Sequence, residues 1–307
     1  MMRPDTITRV AVLCGGFSKE RDVSLVSGNA AARALTNKGL EVTTIDVKRD
    51  MTTLVGDLVA ARPDVVFNAL HGRYGEDGCL QGLLDMMRLP YTNSGRLASA
   101  MAMDKPVAKR IFAAAGIPVA EERLITRRDA EKGNVMEGTY VLKPIDEGSS
   151  VGVKIVEAGS NCPPLDDLGL GLDDLLMAER FIPGREVTVA VMGERALAVT
   201  EITTARSFYD YEAKYAKGGS QHILPAQLDK KLYDQAMELS LTAHKALGCR
   251  GVSRADLRFD GDTFFMLEVN TQPGLTPTSL VPEQAQHIGM SFDNLILWMV
   301  EHAQCDA

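Results

Sequence analysis

Arg254, Asp256, Glu268 and Asn270 are the residues of this sequence best placed to do chemistry together. They fall in two strand-like runs, Val252-Ser253-Arg254-Ala255-Asp256-Leu257-Arg258-Phe259 and Phe264-Phe265-Met266-Leu267-Glu268-Val269-Asn270, separated by the hairpin signal Gly261-Asp262. Side chains alternate along a strand, so Arg254 and Asp256 share a face, as do Glu268 and Asn270. Pairing the runs about residue 262 sets Asp256 opposite Glu268 and Arg254 opposite Asn270. Two carboxylates and an amide oxygen so placed repel unless a cation sits among them. All-oxygen donors suit Mg²⁺, which completes its shell with water and substrate phosphates. A solvated acidic hairpin face is the plainer alternative, and the mutual register of four such residues favours the metal site over it.

Lys143-Pro144 closes another strand-like run and leads into Glu147-Gly148-Ser149-Ser150-Val151-Gly152. An ammonium beside exposed loop N–H groups suits phosphate oxygens, although a Gly-Ser-Ser loop is also an ordinary connection. Neither Gly-x-x-x-x-Gly-Lys-Ser/Thr nor Gly-x-Gly-x-x-Gly occurs, which sets aside a Walker loop and a Rossmann-type dehydrogenase. Glu20 follows Gly15-Gly16 at an expected helix start. It is either a first-turn acid stabilised by the helix end or a carboxylate aimed at a substrate ammonium. His71 ends a strand, where it is either a satisfied structural histidine or a ligand-binding one, and it precedes Gly72, Gly75 and Gly78, which keep that loop open to a close ligand.

The elements that must position these groups divide by character. Up to about residue 98, strand signals (Val10 to Leu13, Glu41 to Val47, Asp64 to Asn68) alternate with helical ones (Ser24 to Leu35, Leu54 to Ala61, Leu80 to Met87). That alternation predicts a parallel α/β sheet with ligands beyond its carboxyl ends, where Glu20 and His71 fall. One Ala- and Met-rich helix is expected over 98–115. Strands then dominate: Arg123 to Ile125, Tyr140 to Lys143, Val151 to Val156, Leu176 to Phe181, Glu186 to Met192 and Ala196 to Thr203. A polar stretch over 204–222 without clear period reads as either a covering loop or a disordered one. A helix over 228–247, the two strands of the hairpin and a C-terminal helix over 292–302 complete the chain.

Composition narrows the class. The 307 residues are 45% hydrophobic and 24% charged, ordinary for a folded soluble protein, and the length predicts two or three domains. A net charge of −8, with pI ≈ 5.3, disfavours nucleic acid or anionic lipid as the main partner. Neither a signal peptide nor a membrane span is expected. The five scattered cysteines, with no Cys-x-x-Cys, read as free thiols in a reducing cytoplasm.

Taken in order, the motifs resemble those of the D-alanine–D-alanine ligases of the ATP-grasp superfamily. They are Gly15-Gly16-x-Ser18-x-Glu20-Arg21-x-Val23-Ser24, Leu70-His71-Gly72 with Gly75-Glu76-Asp77-Gly78, Met103-Asp104-Lys105, Lys143-Pro144, Glu147 to Gly152, Phe208 to Tyr215, Arg254-x-Asp256, Glu268-x-Asn270-Thr271 and Pro273-Gly274-x-Thr276 with Ser279-Leu280. The match covers nearly the whole chain. It implies an α/β ATP-grasp fold: an N-terminal substrate-binding domain (1–98), then a central (99–182) and a C-terminal (183–307) ATP-grasp subdomain that sandwich ATP. The implied reaction ligates two D-alanines, with ATP converted to ADP and phosphate, to supply peptidoglycan precursor.

The resemblance also assigns residues. Lys105 and Lys143 would contact the ATP phosphates, Glu179 and Glu186 the adenine and ribose. Ser150, Phe181, Ile182 and Lys214 would complete the nucleotide site, Phe181 standing where some members have Trp. Asp256, Glu268 and Asn270 would hold Mg²⁺ or Mn²⁺. Glu20 would bind the first ammonium, His71 its carboxylate and Ser279 the second carboxylate. Glu20, Ser149 and Tyr215 would link to close the Tyr-rich loop, while Arg254 and the Gly274 N–H would face the oxyanion. Tyr215 goes with D-alanine over D-lactate as second substrate, and a cytoplasmic homodimer is the family expectation. The competing readings are another ATP-grasp carboxylate–amine ligase, discriminated by Glu20, His71, Tyr215 and Ser279, and a catalytically silent nucleotide-binding module, which would have lost Arg254 or a metal ligand.

Overall fold

Val10 to Cys14 is an uninterrupted apolar run, and it forms the centre of β1 (Arg9–Gly15), with those five residues 2% exposed or less. The structure, a computed structural model, describes residues 7–133, 135–145, 152–203, 221–276 and 278–306. β2 (Glu41–Val47) and β3 (Val65–Asn68) flank β1 in parallel, in the order β2-β1-β3. A parallel sheet buries both faces, and alternation along β1 accomplishes it. Val10, Val12 and Cys14 pack with Ala31, Ala34 and Leu35 of α1 (Arg21–Asn37). Ala11 and Leu13 pack with Leu54 and Leu58 of α2 (Met51–Ala61) and Leu80 and Leu84 of α3 (Cys79–Met86). Gly28 lets α1 lie close on β1, because a Cβ there would stand 2.4 Å from that of Cys14.

The single helix expected over 98–115 is two: α4 (Arg96–Met103) and α5 (Lys105–Ala114). Asp104 breaks them apart with extended backbone, and its carboxylate caps the Val107 N–H at 3.0 Å. Pro106, with no N–H to give, belongs in the first turn of a new helix rather than inside a long one.

The second sheet is antiparallel, ordered β4-β7-β5-β6: β4 (Glu122–Thr126), β5 (Tyr140–Pro144), β6 (Lys154–Val156) and β7 (Leu175–Arg180). β6 is shorter than the expected run 151–156. Gly152 has φ +75°, outside strand geometry, and Val151 lies outside the described residues. A short helix that the composition did not announce, α6 (Arg127–Glu131), is capped by Thr126.

The third sheet is also antiparallel, ordered β10-β9-β8-β11-β12: β8 (Arg185–Met192), β9 (Arg195–Thr203), β10 (Gln221–Ile223), β11 (Val252–Phe259) and β12 (Phe264–Asn270). Its Val187, Val189, Ala255, Leu257 and Val269 pack with Ala102 of α4, Ala108 and Phe112 of α5, and Ala236 and Ala243 of α7 (Lys230–Ala246). Ala190, Met192 and Val252 join a core that continues through α8 (Leu280–His287) and α9 (Phe292–Glu301) into the parallel sheet. α8 is a second unannounced helix. Buried Gln284 docks it on the sheet, accepting from Ala190 N–H at 2.8 Å and donating to the Thr188 carbonyl at 3.1 Å and Thr200 Oγ1 at 3.0 Å. Among the described residues no helix is long and apolar enough to cross a membrane.

Candidate active site

The loops at the carboxyl ends of β1 and β3 make the floor of the site. Gly15 and Gly16 both have positive φ, and a Cβ on Gly15 would stand 2.1 Å from Asp46 Oδ1. Arg21 secures this turn with two 2.8 Å bonds to Asp46 and one of 3.0 Å to the Gly16 carbonyl. Glu20 therefore sits as the N-cap residue of α1, where the helix end favours a negative charge. Ser18 ties this loop to the next: its hydroxyl donates to the His71 carbonyl at 2.7 Å and accepts from the Glu20 N–H at 3.2 Å. Gly72 leaves room for the Glu20 carboxylate, since a Cβ there would lie 2.9 Å from Oε2.

Two buried groups in this floor have displaced acidities. Burial pushes His71 down to about 4, against which a hydrogen bond with the Gln272 backbone acts in the opposite sense. The ring is neutral at physiological pH and offers a hydrogen bond rather than a charge. Glu76 is pushed up to about 8, first by burial and then by the nearby charges of Glu20 and Glu268, while a backbone bond from Gly72 and the charge of Lys105 pull it back. A carboxyl that is largely protonated at neutral pH thus lies beside the Glu20 carboxylate. Sequence reasoning quoted Glu76 within a motif and gave it no role; its acidity depends on tertiary burial.

The opposite wall is the β11–β12 hairpin. Arg254 faces Asn270 and Asp256 faces Glu268, as the spacing predicts. That register depends on a bulge: beyond Asp256 the partners become Leu257 with Met266 and Phe259 with Phe264, so β12 carries one extra residue. Bulges re-aim side chains in this way beside functional sites. Arg254 holds Asp256 bidentately, at 2.9 and 2.7 Å, and Thr188 Oγ1 adds a 2.6 Å bond. Lys105 lies 3.7 Å from Glu268. The cations beside these two carboxylates are therefore side chains of the protein itself, which spacing alone did not reveal. As a donor set, Asp256, Glu268 and Asn270 offer oxygen only and fit a hard divalent ion such as Mg²⁺ or Mn²⁺.

Floor and hairpin enclose a cavity of about 510 Å³ lined by Glu20, His71, Glu76, Lys105, Arg254, Glu268, Asn270, Gly274 and Ser279. His222, which sequence reasoning passed over, lines it too and bonds Glu283 at 2.9 Å. Ser279 is held at the mouth by Thr276, whose Oγ1 lies 2.7 Å from its hydroxyl and whose N–H donates to it at 3.0 Å.

Comparison with known proteins shows the family. The family model for the D-ala D-ala ligase C-terminus matches residues 111–301, and that for the N-terminus matches residues 53–94. The chain belongs to the D-alanine–D-alanine ligase family. It is 60% identical to the D-alanine–D-alanine ligase of Rhodospirillum rubrum over 97% of this chain and 99% of the relative. It is 58% identical to that of Parvibaculum lavamentivorans, over 97% and 98%. A solved structure, the Bacillus anthracis D-alanine–D-alanine ligase complexed with ATP, superposes with a TM-score of 0.80 at 29% identity, covering 96% of this chain and 97% of that one.

The residues that the ligase family resemblance assigns to the nucleotide form two further groups. On the β4–β7 sheet, Glu179 is buried between Lys143, at 2.6 Å, and Lys109, which also bonds the Ala120 carbonyl at 2.8 Å and pairs with Glu122 at 3.1 Å. Burial pushes the Glu179 carboxyl up, but the two ammonium groups outweigh it and the net shift is downward. Lys109 is thus a constant partner that the sequence did not single out. Near β8, Arg258 collects the other three: it donates to the Ile182 carbonyl at 3.1 Å, pairs with Glu186 at 3.1 Å, and stands 5.5 Å from the Phe181 ring centroid. Ser149, Ser150, Lys214 and Tyr215 lie outside the described residues.

Proposed function

We propose that this protein joins two D-alanines into D-alanyl-D-alanine, converting ATP to ADP and phosphate. The observation that supports the reading is one cavity lined by Glu20, His71 and Ser279 together with Arg254, Glu268 and Asn270 of the β11–β12 hairpin. Membership of the ligase family names the amino acid.

A carboxylate is a poor acyl donor, and phosphoryl transfer to it creates an acyl phosphate with a good leaving group. The protein's part is to position reactants and neutralise charge. Glu20 holds the first ammonium and the neutral His71 ring hydrogen-bonds its carboxylate. Lys105, Lys143 and Arg254 serve the phosphoryl oxygens, and Lys143 must leave Glu179 to do so, with Lys109 keeping that carboxylate neutralised. Asp256, Glu268 and Asn270 would hold Mg²⁺ or Mn²⁺, which when bound supplies positive charge to the phosphates. Ser279 orients the second D-alanine, whose amine attacks once deprotonated, so the rate rises with pH until another group fails. Arg254 and the Gly274 N–H receive the tetrahedral oxyanion. By the family resemblance Ser149 and Tyr215 would link with Glu20 to close the Tyr-rich loop, and Ser150, Lys214, Glu179, Phe181, Ile182 and Glu186 would complete the nucleotide site. The division into 1–98, 99–182 and 183–307, a homodimer and a cytoplasmic location belong to the same reading.

The test is the purified protein with Mg-ATP and D-alanine, following ADP release and detecting dipeptide by mass spectrometry, with L-alanine and D-lactate as controls. ADP and D-alanyl-D-alanine formed together, from the D-amino acid alone, are expected. Efficient ester formation with D-lactate at neutral pH would overturn the choice of second substrate, and ATP turnover without dipeptide would point to another acid–amine pair.

A further inference from the structure

Gln272 lies between Asn270 and Gly274 and lines the cavity with them, while its side-chain amide is bonded to Asn68 and Asn93 at the parallel-sheet side. It is 2% exposed. Its Oε1 accepts from Asn93 Nδ2 at 2.7 Å and stands 3.5 Å from Asn68 Nδ2, while its Nε2 donates to the Asn68 carbonyl at 2.5 Å. Its backbone bonds the His71 ring. Asn68, 1% exposed, ends β3 three residues before His71. It donates to the Gly75 carbonyl at 2.8 Å and accepts from the Leu70 N–H at 3.0 Å, so it also shapes the loop that carries His71 and Glu76. Asn93, 4% exposed, completes the set from the stretch between α3 and α4, with its Oδ1 3.5 Å from the Val252 N–H at the start of β11.

We infer that Gln272 is a positioning residue for the ligation: through Asn68 and Asn93 it keys the loop 271–276, with Gly274 and Ser279 beyond it, to the floor that holds the first amino acid. Three amides from separate stretches meet in a buried place where each donor and acceptor left unpaired is costly, so the set has one satisfied arrangement. That arrangement fixes the separation between His71 and the Arg254–Asn270 pair, across which the second amine must reach the acyl phosphate. Small displacements of reacting groups cost large factors in rate. Lys143 and Glu179 bond each other on the second sheet, and Arg258 bonds the Ile182 carbonyl and Glu186, so those contacts to the nucleotide should persist without the set.

This inference rests on the proposed ligation, and the wild-type assay separates the two: absence of dipeptide from the wild type removes the function, whereas an indifferent variant removes only the role of Gln272. Gln272→Ala and, from the other end of the bond, Asn93→Ala are measured for dipeptide formation, ADP release, and KM for D-alanine and for ATP. In each variant that folds, the expected result is a loss of about tenfold or more in dipeptide formation. ADP released per dipeptide and the KM for D-alanine rise, and the KM for ATP stays within about twofold. The double variant should lose less than the sum of the two single ones, because both remove the shared Gln272–Asn93 bond. Unchanged coupling and D-alanine KM in a folded variant, or a parallel decline of ATP and D-alanine kinetics, would overturn the inference. Should Gln272→Ala fail to fold, Asn93→Ala decides it by the same criteria.

Discussion

Arg254 is placed to act on two charges at once, since it is bidentate to Asp256 and lines the cavity where the oxyanion would develop. Replacing it by alanine is expected to lower kcat by about 10²–10³-fold, the usual cost of one oxyanion donor, measured as dipeptide formed at saturating substrates. Near-normal turnover would exclude the role. Acidity supplies a second prediction at this scale. His71 and His244 are both pushed down to about 4 in the folded protein, chiefly by burial, against an ordinary 6.5. The unfolded chain therefore binds more protons than the folded one between those values. The stability they contribute is complete above about pH 6.5 and is lost as pH falls towards 4. Glu76, raised to about 8 from 4.5, has the opposite sign: its folded form binds the extra proton, so its contribution is complete below about pH 4.5 and is lost progressively as pH rises to about 8. These three groups place the thermal optimum near neutrality. Melting temperature followed from pH 4 to 9 should show a maximum there, and His244→Gln should flatten the acid limb.

At the scale of elements, each functional side chain depends on how its segment starts or stops. Asp104 ends α4 and caps α5 one residue before Lys105. Asp104→Ala should cost about 1 kcal/mol in urea unfolding, the usual cost of a lost cap, and raise the KM for ATP by displacing Lys105. An unchanged urea midpoint would show that the cap contributes nothing. Gly28 sets the distance of α1 from β1, and its Cβ would meet backbone-anchored Cys14 rather than a flexible chain end. Gly28→Ala is accordingly expected to destabilise by about 1–3 kcal/mol, read by the same method. Because α1 begins at Glu20, the variant's KM for D-alanine should rise as well.

In the whole molecule, the last described residues fasten the parallel sheet to the third sheet. Gln304 exchanges both backbone bonds with Tyr91, at 3.0 and 3.1 Å. The Asp306 N–H donates to Asp85 at 2.9 Å, and Arg250 both pairs with Asp306 and donates to the Gln304 carbonyl at 2.9 Å. The same guanidinium lies 4.9 Å from the centroid of the buried Tyr91 ring. Arg250→Ala should destabilise the protein by about 1–3 kcal/mol and lower the melting temperature by several degrees. A melting temperature equal to that of the wild type would show that this strap carries no stability.

Periodicity and local chemistry were enough for the parallel sheet, the hairpin and the register of Asp256 with Glu268, because alternation and a Gly-Asp turn are properties of neighbouring residues. That Glu20 and His71 come to one cavity was within reach for a similar reason, since one follows a Gly-Gly turn at a helix start and the other ends a strand before Gly72 and Gly75. The break at Asp104 was within reach of the sequence, in an Asp cap followed by Pro, but helical composition on both sides concealed it. α8 was not, since Gln284 docks it on the central strand of the third sheet at Ala190, ninety-odd residues away in the chain. Tertiary structure alone decided that Lys109 shares Glu179 with Lys143, that Arg258 gathers Phe181, Ile182 and Glu186, and that Gln272 turns towards Asn68 and Asn93. It also decided the acidity of Glu76. Each of these depends on burial and on partners brought together from distant segments, and no spacing along the chain encodes a dielectric or a distance through space.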